Sequence, residues 1–136
     1  MKFNFENLNI WQKAMEIGEE VHLLSKNCSK KESLGLFNQI QTAADDIALN
    51  ISVGSTGQPR SEFKRMVGEA IRSLSEMVTG LYKAKNRAYI TTDEFEKFHK
   101  ESFDLMKMML AFRSKLKGKA IETAVQEAEV KQAAAG

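Results

Sequence analysis

The sequence contains one cysteine, one proline and one tryptophan, and these shortages exclude several classes of protein. Because Cys28 is the only cysteine, no disulfide can form within the chain, which predicts a reducing, cytoplasmic location. No apolar run approaches the roughly 18 residues that a membrane-spanning helix needs. The N-terminus also lacks the apolar core of a signal peptide. We therefore expect a cytoplasmic protein without a membrane partner.

Strand signals are missing too, because no stretch alternates apolar and polar residues for long enough. Apolar residues instead recur every three or four positions, a spacing that is typical of helices with one buried stripe. Four such segments predict helices near residues 7–26, 30–54, 59–87 and 92–117. The predicted buried seams are Ile10, Ala14, Ile17, Val21 and Leu24; Phe37, Ile40, Ala44, Ile47 and Ile51; Phe63, Val67, Ala70, Leu74, Met77, Leu81 and Ala84; and Phe95, Phe98, Ser102, Leu105, Met109, Phe112 and Leu116.

Capping signals lie between these segments. Asn7 is a candidate cap for the first helix, and residues 29–32 and 91–94 have the spacing of capping boxes. Gly54 fits the residue just past a helix end, and Pro59 fits the first turn of the next helix. We therefore interpret the glycine- and proline-containing stretch between the second and third helices as a corner.

The short connections predict that neighbouring helices run antiparallel. We expect an all-α, up-down-up-down four-helix bundle over residues 1–117. Residues 118–136 have strong helix formers but a thin apolar face. They are either a C-terminal helical extension or a disordered tail.

Two helices carry more apolar residues than one seam requires. The bland interpretation is a broad stripe that faces the core. The alternative is a subunit interface, since monomers seldom expose large apolar patches. The residues of these second rows are Ile71, Val78, Tyr82, Phe103, Met106 and Leu110.

Catalytic signals are weak. Two Glu-x-x-His pairs, Glu19/His22 and Glu96/His99, are similar to the ligand pattern of di-iron bundles, but such a site also needs acids on the other two helices. The seams of those helices contain none. The segment "GSTGQPRS" does not match a phosphate-binding loop, and no serine lies in a nucleophile motif. We expect no catalytic residues, no metal, no cofactor and no enzymatic activity.

The net charge of +2 conceals an asymmetry along the chain. Residues 1–58 have five lysines against seven acids, whereas residues 59–117 have thirteen basic residues against eight acids. The basic residues of the third segment could contact nucleic-acid phosphates, although a solvated charged face is the commoner reason for such residues. These candidates are Arg60, Lys64, Arg65, Arg72, Lys83, Lys85 and Arg87.

The chain resembles a bacterial four-helix bundle family that includes proteins encoded by intervening sequences of 23S ribosomal RNA genes. Accessory variability proteins of diversity-generating retroelements are similar. The resemblance covers about residues 3–116, and each of its motifs is weak alone. The matching positions are Phe5, Leu8, Trp11 and Ala14; Leu36, Gln39, Ile40, Ala43, Ala44, Asn50, Ile51 and Gly54; Ser61, Glu62 and Phe63; and the stretch "GEAIRSLSEM".

This resemblance implies a homo-oligomeric ring, commonly a homopentamer, without catalysis or cofactor. For the retroelement relatives it implies binding to RNA or DNA and to a reverse transcriptase. Two departures stand out. Gln41 and Thr42 replace a pair of arginines, with Asp45 and Asp46 nearby, which argues against a polyanion-binding surface on the second helix. Val53 replaces a glutamate that could pair with a basic residue at the corner or across a subunit contact.

Overall fold

The structure is a computed structural model that describes residues 1–57 and 59–116. No strand occurs in these two ranges, so the predicted all-α four-helix bundle is confirmed. The predicted boundary after residue 117 and the tail 118–136 lie outside the described residues. The elements are a 3₁₀ turn at Asn4–Asn7, α1 at Asn9–Lys26, a 3₁₀ turn at Lys31–Ser33, α2 at Leu34–Ser55, α3 at Arg60–Asn86 and α4 at Thr92–Ser114.

All residues of the four predicted seams are buried in one core. Each helix turns one apolar stripe inward because its apolar residues recur every three or four positions. Phe63 of α3 packs against Phe112 of α4, with ring centroids 5.5 Å apart. Burying a side chain of this size contributes roughly 1.5–3 kcal/mol. The seams therefore supply most of the stabilisation that holds the helices together.

The α2 and α3 helices pack closely and run antiparallel. Gly54, near the end of α2, lies against Met66, near the start of α3. Ile40 of α2 lies against Gly80, near the end of α3. A Cβ atom at Gly80 would lie 2.5 Å from Ile40 Cγ1, and one at Gly54 would lie 2.8 Å from Met66 Cβ. The two backbones therefore approach each other more closely than larger residues at these positions permit.

The α3 and α4 helices also run antiparallel, since the end of α4 packs on the start of α3 through Phe112 and Phe63. The start of α4 packs on the end of α3, where the ring centroids of Phe95 and Tyr82 are 4.6 Å apart. Glu20, near the end of α1, lies 3.7 Å from the Lys97 ammonium near the start of α4, as the up-down order requires. The direction of α1 along its whole length stays a prediction.

One of the predicted helix starts is confirmed and two are wrong. The Thr91 hydroxyl accepts a hydrogen bond from the Glu94 backbone N–H at 3.0 Å, and Glu94 Oε1 accepts from the Thr91 N–H at 2.8 Å. Asn7 instead lies in a 3₁₀ turn, and the buried Leu8 precedes α1 without a side-chain cap. A second 3₁₀ turn, which begins after Lys30 without a side-chain cap, displaces the box predicted over residues 29–32.

The corner between α2 and α3 differs from its prediction in detail. The α2 helix continues through Ser55, so Gly54 lies inside its last turn and does not end it. The left-handed backbone falls three residues later, at Gly57, whose φ is +71°. Pro59 precedes the first helical residue, and its carbonyl accepts from the N–H groups of Glu62 and Phe63. The stretch is a turn, as expected, but the two glycines have different roles.

Candidate functional site

An apolar groove lies between α3 and α4. It has a volume of about 280 Å³, and three of the six second-row residues, Val78, Phe103 and Met106, line it. The buried Ser102 also lines it, and its hydroxyl has no hydrogen-bond partner in the described part of the chain. We call this the α3/α4 groove, and its full lining is Leu74, Ser75, Val78, Thr79, His99, Ser102, Phe103 and Met106.

The second apolar rows divide into packed and exposed residues. Ile71, Val78 and Met106 are partly buried against the core, which agrees with the interpretation of a broad stripe. Phe103, Leu110 and Tyr82 are 57%, 49% and 43% exposed, so the core does not account for them. These three side chains lie on two neighbouring helices, and exposed apolar surface of this kind is a candidate interaction surface.

An aromatic cluster joins Tyr82 to the N-terminal part of α4. The Tyr82 ring centroid lies 4.6 Å from that of Phe95 and 6.0 Å from that of His99. The Lys85 ammonium lies 4.8 Å from the centroid of the Phe95 ring, within the range of cation–π attraction. This cluster holds His99 among rings on the α3 side of α4.

The predicted basic residues do not form one patch. Arg65 donates from Nε to both carboxylate oxygens of Glu62 at 3.0 Å, and Arg72 lies 3.7 Å from Glu76. The hydrogen bond from Arg65 lowers the pKa of Glu62 and raises the pKa of the arginine itself. Glutamates of the same helix thus neutralise two of the seven candidates. This part of α3 agrees with the interpretation of a solvated charged face.

The other basic residues divide between the two ends of α3, which are roughly 40 Å apart by helix geometry. At the first end, Arg60 has a buried Nε without a hydrogen-bond partner among the described residues. Arg113 of α4 joins this end, because its Nε donates to the Lys64 carbonyl at 3.4 Å. Lys83, Lys85 and Arg87 lie at the other end. Sequence reasoning missed Arg113 because it considered basic residues one helix at a time.

A groove of about 710 Å³, with several polar side chains in its lining, lies between α2 and α3. Arg72 and Lys83 line it, together with Glu76. The remaining polar lining is neutral amide and hydroxyl groups, from Asn38, Gln39, Thr42, Ser75 and Thr79. We call this the α2/α3 groove. It can offer hydrogen bonds and the positive charge of Lys83 to an extended polar ligand, since Glu76 offsets the charge of Arg72.

A third groove, between α1 and α2, was not predicted. It has a volume of about 350 Å³, and its exposed apolar members are Leu49 (57% exposed) and Met15 (42% exposed). The exposed carboxylates of Glu19 and Asp45 also line it. We call it the α1/α2 groove, and its lining is Phe5, Trp11, Ala14, Met15, Gly18, Glu19, Ala44, Asp45, Ala48, Leu49 and Ser52.

The sequence contained a signal for this groove. Ala14 and Gly18 of α1 are four residues apart, and so are Ala44 and Ala48 of α2. Small residues at this spacing on two facing helices leave a depression between them. Trp11 closes one part of it, with its ring 5.1 Å from that of Phe5.

The two Glu-x-x-His pairs do not converge. Glu19 lines the α1/α2 groove, whereas His99 packs against Tyr82 and Phe95 on the other side of the bundle. Over residues 1–57 and 59–116, no three His, Cys, Asp or Glu side chains come close enough to hold a metal ion. Cys28 is half-buried, and its thiol donates to the Ser33 hydroxyl at 3.3 Å. No described helix has both the length and the apolarity of a membrane span.

A pair of carboxyl groups lies between α1 and α4. Burial, followed by the hydrogen bond and the charge of Glu20, raises the pKa of Glu101. The ammonium groups of Lys97 and Lys13 act in the opposite direction. The Lys97 ammonium also lies 3.7 Å from Glu20 Oε2, so it offsets part of the negative charge of the two carboxyl groups. The Glu20–Glu101 pair therefore contributes to the packing of α1 on α4 and is not a candidate catalytic site.

Fold and surface together define a small four-helix bundle whose notable surface features are grooves between its helices. Comparison with protein families then gives a specific assignment. A family model described as 23S rRNA-intervening sequence protein matches residues 6–111, and the chain belongs to that family. A search of curated proteins finds no match. The resemblance inferred from the sequence motifs is thereby confirmed for the intervening-sequence family.

Proposed function

We propose that the protein is a non-enzymatic interaction scaffold that assembles with copies of itself into a ring, with a homopentamer as the expected form. The observation that supports this proposal is the exposure of Phe103, Leu110 and Tyr82 beside the α3/α4 groove. Burial of these side chains against a second copy removes apolar surface from water, at about 25 cal/mol per Å². The single thiol of Cys28 is in keeping with the cytoplasm as its location.

The experiment is a sedimentation-velocity series on the wild type and on Phe103→Glu at micromolar concentration. A glutamate at this position puts a charge into the apolar contact, so we expect the variant to sediment as a monomer. The matched control is Leu23→Glu. Leu23 is apolar and about as exposed as Phe103 (59% against 57%), and it lines none of the three grooves. Equal assembly of Phe103→Glu and the wild type contradicts the proposed surface.

A second candidate function is binding of RNA or an RNA–DNA hybrid, as an accessory protein of a reverse transcriptase, a retroelement or a ribosomal RNA. The observation that favours it is the α2/α3 groove, where Lys83 and the Arg72–Glu76 ion pair are combined with neutral amide and hydroxyl groups. Such a surface contacts phosphates and reads no base sequence. One protomer carries few such contacts, and a ring repeats them, which raises avidity.

A fluorescence-anisotropy titration with structured RNA and with an RNA–DNA hybrid, at two salt concentrations, tests this second function. We expect affinity to fall as salt rises, because each phosphate contact releases condensed counterions. Lys83→Gln should weaken binding, whereas Lys26→Gln, in the last turn of α1, should not. Absence of binding at low salt rejects the function, and binding without salt dependence rejects the phosphate mechanism.

A further inference from the structure

The two apolar grooves lie on opposite sides of the bundle. The α1 helix packs against α2 and α4, and α3 packs against the same two helices. The α1/α2 groove and the α3/α4 groove are consequently separated by the core. A symmetric dimer uses one patch twice, whereas a head-to-tail ring needs two different patches that point in different directions. Two opposed apolar grooves meet that geometric requirement.

The two sides also differ in shape. The α1/α2 groove has a floor of small residues, and a Cβ atom at Gly18 would already lie 3.4 Å from Asp45 Oδ1. The α3/α4 side presents large side chains, of which Phe103 is the most exposed at 57%. One side is therefore a depression with an apolar rim, and the other carries an aromatic side chain that can enter it. Aromatic residues in pockets are the usual anchors of protein interfaces.

The two sides also differ in charge: the α1/α2 groove is acidic, and lysines lie beside Phe103 on the α3/α4 side. Glu19 and Asp45 are the charged residues in the lining of the α1/α2 groove. The lining of the α3/α4 groove has no carboxylate. The Lys107 ammonium lies 5.3 Å from the centroid of the Phe103 ring and 3.8 Å from Asp104 Oδ1, so its charge is partly offset. An exposed lysine, Lys100, precedes Phe103 by three residues on α4 and supplies a further positive charge. An acidic depression and an aromatic anchor with a lysine beside it attract each other and disfavour like-with-like pairing.

We propose that the α1/α2 groove of one copy receives the α3/α4 side of the next copy, with Phe103 as the anchor and Glu19 and Asp45 opposite the lysines. This pairing rests on the proposed function, since it requires that the protein assemble with itself. It adds the partner surface, which contains Trp11, Met15 and Leu49. The contact is heterologous, so each copy uses both sides, and a ring forms when the rotation from one copy to the next closes.

Two single variants and their mixture test this pairing. Phe103→Glu puts a negative charge opposite the acidic α1/α2 groove of the next copy and leaves its own α1/α2 groove intact. Leu49→Lys puts a positive charge opposite the lysines of the next copy and leaves its own α3/α4 side intact. Both positions are exposed, so circular dichroism should show folded protomers. Leu23→Glu and Leu23→Lys are the controls for the two charges, and both should assemble as the wild type does.

We expect each variant alone to be monomeric, with assembly weakened about thirtyfold or more, the effect of losing a hot spot. Mixed in equal amounts, well above the concentration at which the wild type assembles, the two variants should form a one-to-one dimer. That dimer keeps one intact contact, between Phe103 of the Leu49→Lys chain and the groove of the Phe103→Glu chain. Sedimentation velocity distinguishes monomer, dimer and ring.

The outcomes separate the pairing from the function it rests on. A monomeric wild type overturns self-assembly itself. If the wild type assembles and Leu49→Lys assembles equally well, only the pairing is overturned, since the α1/α2 groove is then not part of the contact. A mixture that stays monomeric while both single variants are monomeric and folded also overturns the pairing.

Discussion

The α2/α3 pair and the α3/α4 pair share one helix and differ in how closely they pack. The α2 and α3 helices approach until Gly54 and Gly80 leave no room for a side chain. The α3 and α4 helices pack through large rings and leave a groove with Phe103 exposed beside it. Both pairs border a groove, but of these two grooves only the α3/α4 groove has a large exposed apolar side chain, Phe103, in its lining. We call α2/α3 the close pair and α3/α4 the open pair, because the second leaves apolar surface for a partner.

Gly80→Ala should have the largest effect on stability, because it acts in the close pair. Its Cβ would lie 2.5 Å from Ile40 Cγ1, and Ile40 is only 1% exposed, so the Ile40 side chain or the helices must shift. Overpacking of this kind costs about 1–3 kcal/mol in the free energy of unfolding, measured by urea denaturation. Gly35→Ala is the control, since nothing lies within 4 Å of its Cβ, and it should stabilise α2 by up to about 1 kcal/mol. Equal stability of the two variants would remove the distinction between the pairs.

Thr91→Ala should have the next largest effect, and it acts in the open pair. The variant loses the hydroxyl that caps α4, which costs about 1 kcal/mol of stability. Hydrogen exchange should speed up in the first turn of α4 and leave the α2/α3 contact protected. Thr92→Ala, at an exposed neighbour, should change stability by less than about 0.5 kcal/mol. Loss of protection spread evenly over all four helices contradicts this local effect.

Ser102→Ala tests whether the α3/α4 pair contains a buried hydroxyl without a hydrogen-bond partner. The buried Ser102 hydroxyl has no partner in the described residues, so its removal should leave the free energy of unfolding unchanged or raise it by up to about 1 kcal/mol. The contrast is Ser33→Ala, where a buried hydroxyl donates to the Lys30 carbonyl at 2.6 Å and should cost about 1 kcal/mol. A clear loss of stability in Ser102→Ala would mean that the hydroxyl is engaged.

Glu101→Gln should have the smallest effect, and it concerns a third pair, α1/α4. The pKa of Glu101 is raised in the folded protein, so the folded state binds a proton more readily than the unfolded state. Stability therefore falls as the pH rises from the ordinary carboxyl pKa through the raised value. The variant should have a higher melting temperature than the wild type at neutral pH, and this advantage should shrink at acidic pH. Glu96→Gln, at an exposed site on α4, should show no such trend, and identical pH profiles for wild type and Glu101→Gln contradict the assignment.

The sequence predicted the fold closely because burial follows periodicity. Every seam residue is buried, and the capping box at Thr91 is present. The other caps failed because short 3₁₀ turns precede α1 and α2, and hydrophobic spacing carries no information about such turns. Gly54 was misassigned because either it or Gly57 could end α2. Only the close approach of Met66 shows why Gly54 belongs inside the helix.

The candidate surfaces were predicted less completely, because they depend on pairs of helices. Phe103, Leu110 and Tyr82 stood out as a second row and are exposed, whereas Ile71 is partly buried from the same row. The α1/α2 groove was missed because it forms where small residues of two helices face each other, and spacing along one helix does not show which helices pack together. The neutralisation of Arg65 and Arg72 by glutamates could have been foreseen, since the partners are three and four residues away.

The central claim is that the α3/α4 side binds other copies of the chain. The most direct test is the mass of the wild-type protein in solution, measured by light scattering during size-exclusion chromatography over a range of micromolar concentrations. The exposed residues beside the α3/α4 groove favour self-association, and the proposed scaffold is a closed assembly with the five copies that the family resemblance implies. A protein that elutes as a single monomer at every concentration would contradict the proposed scaffold and leave the exposure of Phe103 to be explained by a different partner.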